Sequence, residues 1–161
     1  MDHPIREAGK DGMILALFDI DGTLISTGGA GMRAFNRSLT AKFGLQAADG
    51  TVHPDGKTDP LILREILAHF GLDTGGCAEI QADVFASYLR FLDEEMGLAR
   101  TGGTIRVLAG VKELLDRLAV EPGFCTGLVT GNLEEGARIK LRHAGLDGYF
   151  KFGGYGSDSE N

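Results

Sequence analysis

The feature that most constrains this chain is an unbroken apolar run, Met13–Phe18 (MILALF), cut off by two acids in Asp19-Ile20-Asp21-Gly22. Six apolar residues without alternation are the pattern of a strand buried on both faces, as in a parallel sheet. Carboxylates are rarely buried unless they are paired or hold a metal. In an open parallel sheet, ligands bind at the carboxyl ends of the strands. Alternation along the strand points Asp19 and Asp21 the same way. Asp21-Gly22 between apolar runs is also a hairpin signal, but a hairpin leaves Asp19 unexplained. A calcium-loop reading fails, because the glycine comes too early and Ala30 stands where a bidentate glutamate is needed.

Residues 1–12 read as a loose leader. Beyond Gly28-Gly29-Ala30-Gly31, the residues Met32, Phe35, Leu39 and Phe43 recur at helical spacing. The stretch 49–59 is polar and turn-rich. Pro60 then suits a first helical turn, capped by Thr58 or Asp59, and predicts a second helix over 61–70. A third helix is expected over 78–96. From Thr104 the pattern changes: an amphipathic helix around Val111–Leu118, a buried strand over Phe124–Thr130, and a helix stopped by Gly145. Asn132 with Glu135 has the spacing of a capping box, and Tyr149–Tyr155 reads as a third strand. The alternation predicts an α/β fold, a Rossmann-like parallel sheet interrupted by a helical excursion.

Composition narrows the function. With 43% hydrophobic and 24% charged residues among 161, the chain can build a core. Its net charge of −7 argues against nucleic acid as a partner. The apolar runs fall short of the ~20 residues of a membrane helix, so no membrane association is expected. The polar N-terminus lacks a signal-peptide core, which predicts a cytoplasmic protein. Cys77 and Cys125 form neither a disulfide framework nor a metal motif. The 25 glycines come in clusters without a period, which excludes collagen-like and repeat architectures.

LFDIDGTL (Leu17–Leu24) resembles the first motif of the haloacid dehalogenase-like hydrolase superfamily, and LVTGN (Leu128–Asn132) resembles its second. The helical block lies where that family inserts a cap. The chain is most similar to the phosphoglycolate phosphatase and β-phosphoglucomutase branch. The resemblance implies a catalytic core of residues 1–28 and 104–161 with a helical cap over 29–103. It also implies a Mg²⁺-dependent phosphatase acting on a small phosphorylated metabolite.

Asp19 would be the nucleophile, forming an aspartyl-phosphate, and Asp21 the proton donor and acceptor. Mg²⁺ would be held by Asp19 and the main-chain carbonyl of Asp21. Thr130 would bind a phosphate oxygen with help from Asn132, though the plain readings, strand end and helix cap, also fit. The family's third motif is a lysine. Counted from Leu133, Lys140 shares the face of Ala137, Leu141 and Ala144, whereas Arg138 and Arg142 fall opposite; Lys151 is the second candidate. Arg33, Arg37, Lys57 and Arg64 are cap cations that could meet an anionic substrate, and Gly56-Lys57-Thr58-Asp59 resembles the Gly-Arg-Thr-Asp of capped relatives.

The family's fourth, acidic motif has no counterpart. Asp158 and Glu160 follow no apolar run, so the C-terminal part of the core is expected to be missing. The strand Met13–Phe18 would then keep an open edge, which favours self-association.

Three rivals remain. A phosphomutase of the same fold would differ only in its acceptor. Gly29-Ala30-Gly31-Met32-Arg33-Ala34 fits a dinucleotide-binding fingerprint, with Asp49 at the distance of the required acid. A non-enzymatic binding module would leave the motif acids idle.

Overall fold

The structure is a computed structural model that describes residues 12–45, 52–72 and 78–158. Residues 1–11 of the expected leader, Asp49, Cys77 and Glu160 lie outside the described residues. Strand β1 (Ile14–Phe18) runs parallel to β4 (Phe124–Val129), with Ile14 opposite Phe124 and Phe18 opposite Leu128. On the other side of β4 lies β5 (Gly153–Gly154), also parallel, giving the order β1-β4-β5.

Between β1 and β4 the chain makes a long helical excursion: α1 (Ala30–Phe43), α2 (Asp59–His69) and α3 (Ala78–Thr101). Its exit and return are clipped together. The two-residue strand β2 (Ile25–Ser26) pairs antiparallel with β3 (Arg106–Val107). After β3 come α4 (Val111–Val120) before β4, α5 (Glu134–Ala144) after it, and a short 3₁₀ turn, Asp147–Tyr149.

Local chemistry explains the boundaries. The Thr58 hydroxyl caps α2 by accepting from Leu61 N at 3.3 Å, with Pro60 in the first turn. Helix α3 runs past 96 to Thr101, carrying Gly97 against the His143 ring, and stops at Gly102-Gly103. The expected strand over 149–155 shrinks to two glycines, because Tyr149 closes the 3₁₀ turn.

Two apolar clusters form. One joins α1, α2 and α3 through Phe35, Leu39, Ile66, Tyr88, Leu92 and Met96, and it takes in Leu133 at the start of α5 and Ile139 within it. The other packs the sheet against α4 and α5 through Ile20, Leu115, Leu128 and Leu141. The start and body of α5 therefore serve both clusters.

Strand β1 departs from expectation. Ile14, Leu15 and Leu17 are 41–52% exposed, not buried. A parallel strand is buried only where both of its faces are covered. Among the described residues β4 alone pairs with β1. No helix of the described residues is long and apolar enough to cross a membrane.

Candidate active site

The carboxyl ends of β1 and β4 open into a cavity of about 970 Å³, which Asp19, Asp21, Thr130, Asn132 and Lys140 all line. Asp19 follows β1 directly; Asp21 sits two residues on, before the left-handed Gly22. Thr130 follows β4, its N–H bonded to Gly154 O at 3.0 Å.

Four side chains from three elements close into one network. Lys140 Nζ donates to Asp21 Oδ2 at 2.6 Å and to Asn132 Oδ1 at 2.5 Å. Asn132 Nδ2 donates to the same Asp21 oxygen at 2.9 Å and to Thr130 Oγ1 at 2.7 Å. Lys140 is 5% exposed, and burying an ammonium is tolerable only because it is paired here. Two of its three protons are committed, leaving one for a ligand. Thr130 Oγ1 likewise accepts from Asn132 and keeps its own proton to donate. Asp19 takes no hydrogen bond from any described residue, so its exposed carboxylate faces the cavity uncommitted. Lys151 is exposed and stands apart from this cluster.

The capping box does not form. Asn132 turns its side chain into the cavity, and Leu133 occupies the cap position of α5 without a side-chain cap. The orphan N–H groups are met from a distance. Asp59 Oδ2 accepts from Leu133 N at 2.8 Å, and Ser157 Oγ accepts from Glu134 N at 3.2 Å.

Sequence reasoning picks out Asp59 in the Gly56-Lys57-Thr58-Asp59 stretch but misses its role at the start of α5. The turn carrying it packs so closely on the strand ends that Gly131 has no room for a Cβ, which would lie 2.2 Å from Lys57 O. Gly156 is equally confined, 2.1 Å from Gly131 O. Asp59 N bonds Gly131 O at 2.7 Å, so backbone and side chain both hold this loop. Burial raises the Asp59 carboxyl above its ordinary value and the Asp21 charge adds to this, while Lys140 and the Leu133 N–H draw it down. Burial, with the charges of Asp59 and Asp21, pushes the Tyr88 hydroxyl well up, so it remains a neutral phenol.

The cap cations are largely occupied. Arg33 donates to Glu95 at 2.7 Å and to Gly28 O at 2.7 Å; Arg37 donates to Glu94 and Glu95; Lys57 donates to Glu65 at 2.5 Å. Arg64 lies on the exposed side of α2.

No group of three or more His, Cys, Asp or Glu among the described residues could cage a metal. The uncommitted Asp19 carboxylate on an open cavity does suit a hard cation that keeps several waters and shares phosphate oxygens.

The chain belongs to the haloacid dehalogenase-like hydrolases, whose family model matches residues 15–161. Solved structures of similar fold include a predicted phosphoglycolate phosphatase from Haemophilus somnus, 18% identical with a TM-score of 0.60, over 93% of this chain and 65% of that one. CbbY from Rhodobacter sphaeroides in complex with phosphate is 21% identical with a TM-score of 0.61, over 92% and 66%. The HAD-hydrolase YfnB from Bacillus subtilis bound to magnesium is 19% identical with a TM-score of 0.52, over 91% and 66%. At such identities the likeness is one of fold. The chain spans 65–66% of the length of these structures. No curated protein sequence matches it.

Proposed function

We propose that the protein is a Mg²⁺-dependent phosphatase that hydrolyses a small-molecule phosphomonoester through an aspartyl-phosphate. The observation that carries this reading is the Asp21–Asn132–Thr130–Lys140 network standing beside an uncommitted Asp19. Residues 1–28 and 104–161 would serve as the catalytic core and 29–103 as the cap.

Asp19 attacks phosphorus while the bond to the ester oxygen breaks, and Asp21 protonates the departing alcohol. Water then attacks the aspartyl-phosphate, Asp21 takes its proton, and phosphate leaves with the Asp19 carboxylate restored. Lys140 holds a phosphate oxygen with its remaining proton, and Thr130 donates to another. Asp19 and the main-chain carbonyl of Asp21 would hold Mg²⁺, which supplies charge neutralisation between carboxylate and phosphate.

Phosphate release in the presence of Mg²⁺ tests the reading. Asp19→Asn should abolish turnover and phosphoenzyme, because an amide is a poor nucleophile. Asp21→Asn should slow turnover at least ~10²-fold, the scale of a positioned proton donor. Wild-type rates from Asp19→Asn would overturn the mechanism. Transfer of the phosphoryl group to a sugar, in place of free phosphate, would identify a phosphomutase.

A further inference from the structure

Beyond the phosphate network, the cavity wall carries an uneven charge. Five aspartates line it: Asp19, Asp21, Asp55, Asp59 and Asp158. Among the described residues only two lysines do, and both are paired, Lys140 with Asp21 and Lys57 with Glu65. The nearby cap arginines are no reserve, since Arg33 and Arg37 are held by Glu94 and Glu95.

The rest of the wall is apolar. Phe35 and Tyr88 stack with ring centres 4.1 Å apart, and Met32 and Ile62 flank the cavity with them. A phosphate can use the third proton of Lys140 and the Thr130 hydroxyl. A second anion on the same molecule would enter a cavity whose wall also carries Asp55 and Asp158 and, among the described residues, no uncommitted lysine or arginine.

We infer that the phosphate is the substrate's only anionic group, and that the alcohol it esterifies is neutral or positively charged. This rests on the phosphomonoesterase reading above. Selectivity here is exclusion as much as attraction: like charges and an unpaired second anion discriminate against the wrong ester.

Three esters of matched length isolate the charge: ethyl phosphate, phosphoethanolamine and phosphoglycolate. With the full chain and Mg²⁺, kcat/KM for phosphoglycolate should fall at least about tenfold below that of the other two. Equal or better turnover of phosphoglycolate overturns the inference and leaves the hydrolase reading intact. If none is turned over, calorimetric dissociation constants for the same esters decide instead. Phosphoglycolate binding as tightly as ethyl phosphate then overturns the inference. Glu65→Gln supplies an independent check, because it releases Lys57 without touching the phosphate network. The penalty on phosphoglycolate should shrink about threefold or more in that variant. An unchanged penalty overturns the charge argument.

Discussion

The helical side of the molecule and its sheet side are built from similar apolar sequence and end up in opposite conditions. In the helical cluster Phe35, Leu39, Tyr88, Leu92 and Met96 are at most 2% exposed. On β1, an equally apolar run leaves Ile14, Leu15 and Leu17 about half open. Three helices can enclose one another's stripes, whereas a sheet strand depends on whatever lies over each face. Charge is divided in the same way. The helical side pairs Arg33 and Arg37 with its own Glu94 and Glu95, while the strand ends and α5 bring together Asp19, Asp21 and Lys140 with binding capacity left over.

The most severe test of this contrast is truncation. Leu92→Ala should cost about 2–5 kcal/mol in urea unfolding, because it opens a void in a filled core. Leu15→Ala should stay within about 0.5 kcal/mol, the range of exposed positions. Equal losses would mean that the β1 face is covered in solution, and the contrast would collapse.

A smaller effect separates the two faces of α5. Lys140→Ala should weaken phosphate and vanadate binding about 10- to 100-fold, since a charge-assisted contact is lost. Arg142→Ala should leave binding unchanged. Arg142 is exposed and bonded to Asp93 on α3 at 2.9 Å, away from the cavity. Titration calorimetry with phosphate reads both. Loss of binding in the arginine variant would reverse the assignment of faces.

That assignment shows what was legible beforehand. Lys140 lies seven positions after Leu133, and helical periodicity alone turned it inward. The strand over 13–18 and the helix over 61–70 announced themselves equally, the first by its unbroken run and the second by Thr58 and Pro60. The β2–β3 clip did not, because two residues per strand carry no periodicity. The burial of β1 was misjudged, because an apolar run records a capacity for burial and not the presence of a covering layer. Asn132 was ambiguous for another reason. Its spacing to Glu135 fits a cap, but Asp21 and Lys140, distant in sequence, compete for the same side chain and win. Asp59 stands out in sequence as a helix start and as the last residue of Gly56-Lys57-Thr58-Asp59, neither of which names what its carboxylate holds. Its true partner, the N-terminus of α5, lies 74 residues along the chain.

The smallest effects concern pH, and here a carboxylate on the outer helices and one at the cavity carry opposite signs. On the helical side, the hydrogen bond from Arg33 holds Glu95 below its ordinary value of 4.5, against the opposing effect of burial and with help from Arg37. A carboxylate stabilised when ionised contributes above its unfolded-state value, and that contribution is lost as pH falls through the lowered folded value. Near the cavity Asp59 behaves inversely. Burial raises it from 3.8, so its favourable contribution is present below 3.8 and lost as pH rises through the raised value. Glu95→Gln should therefore flatten the decline in stability below pH 4.5. Asp59→Asn keeps an oxygen for the Leu133 N–H and removes the ionisation, so its stability relative to wild type should improve as pH climbs above 3.8. Urea midpoints of the three proteins across an acid-to-neutral series measure both slopes. Glu95→Gln declining below pH 4.5 as steeply as wild type would refute the helical half of the contrast. An Asp59→Asn variant that loses ground with rising pH would refute the other, showing that the buried carboxylate is stabilised by Lys140 more than it is penalised by burial.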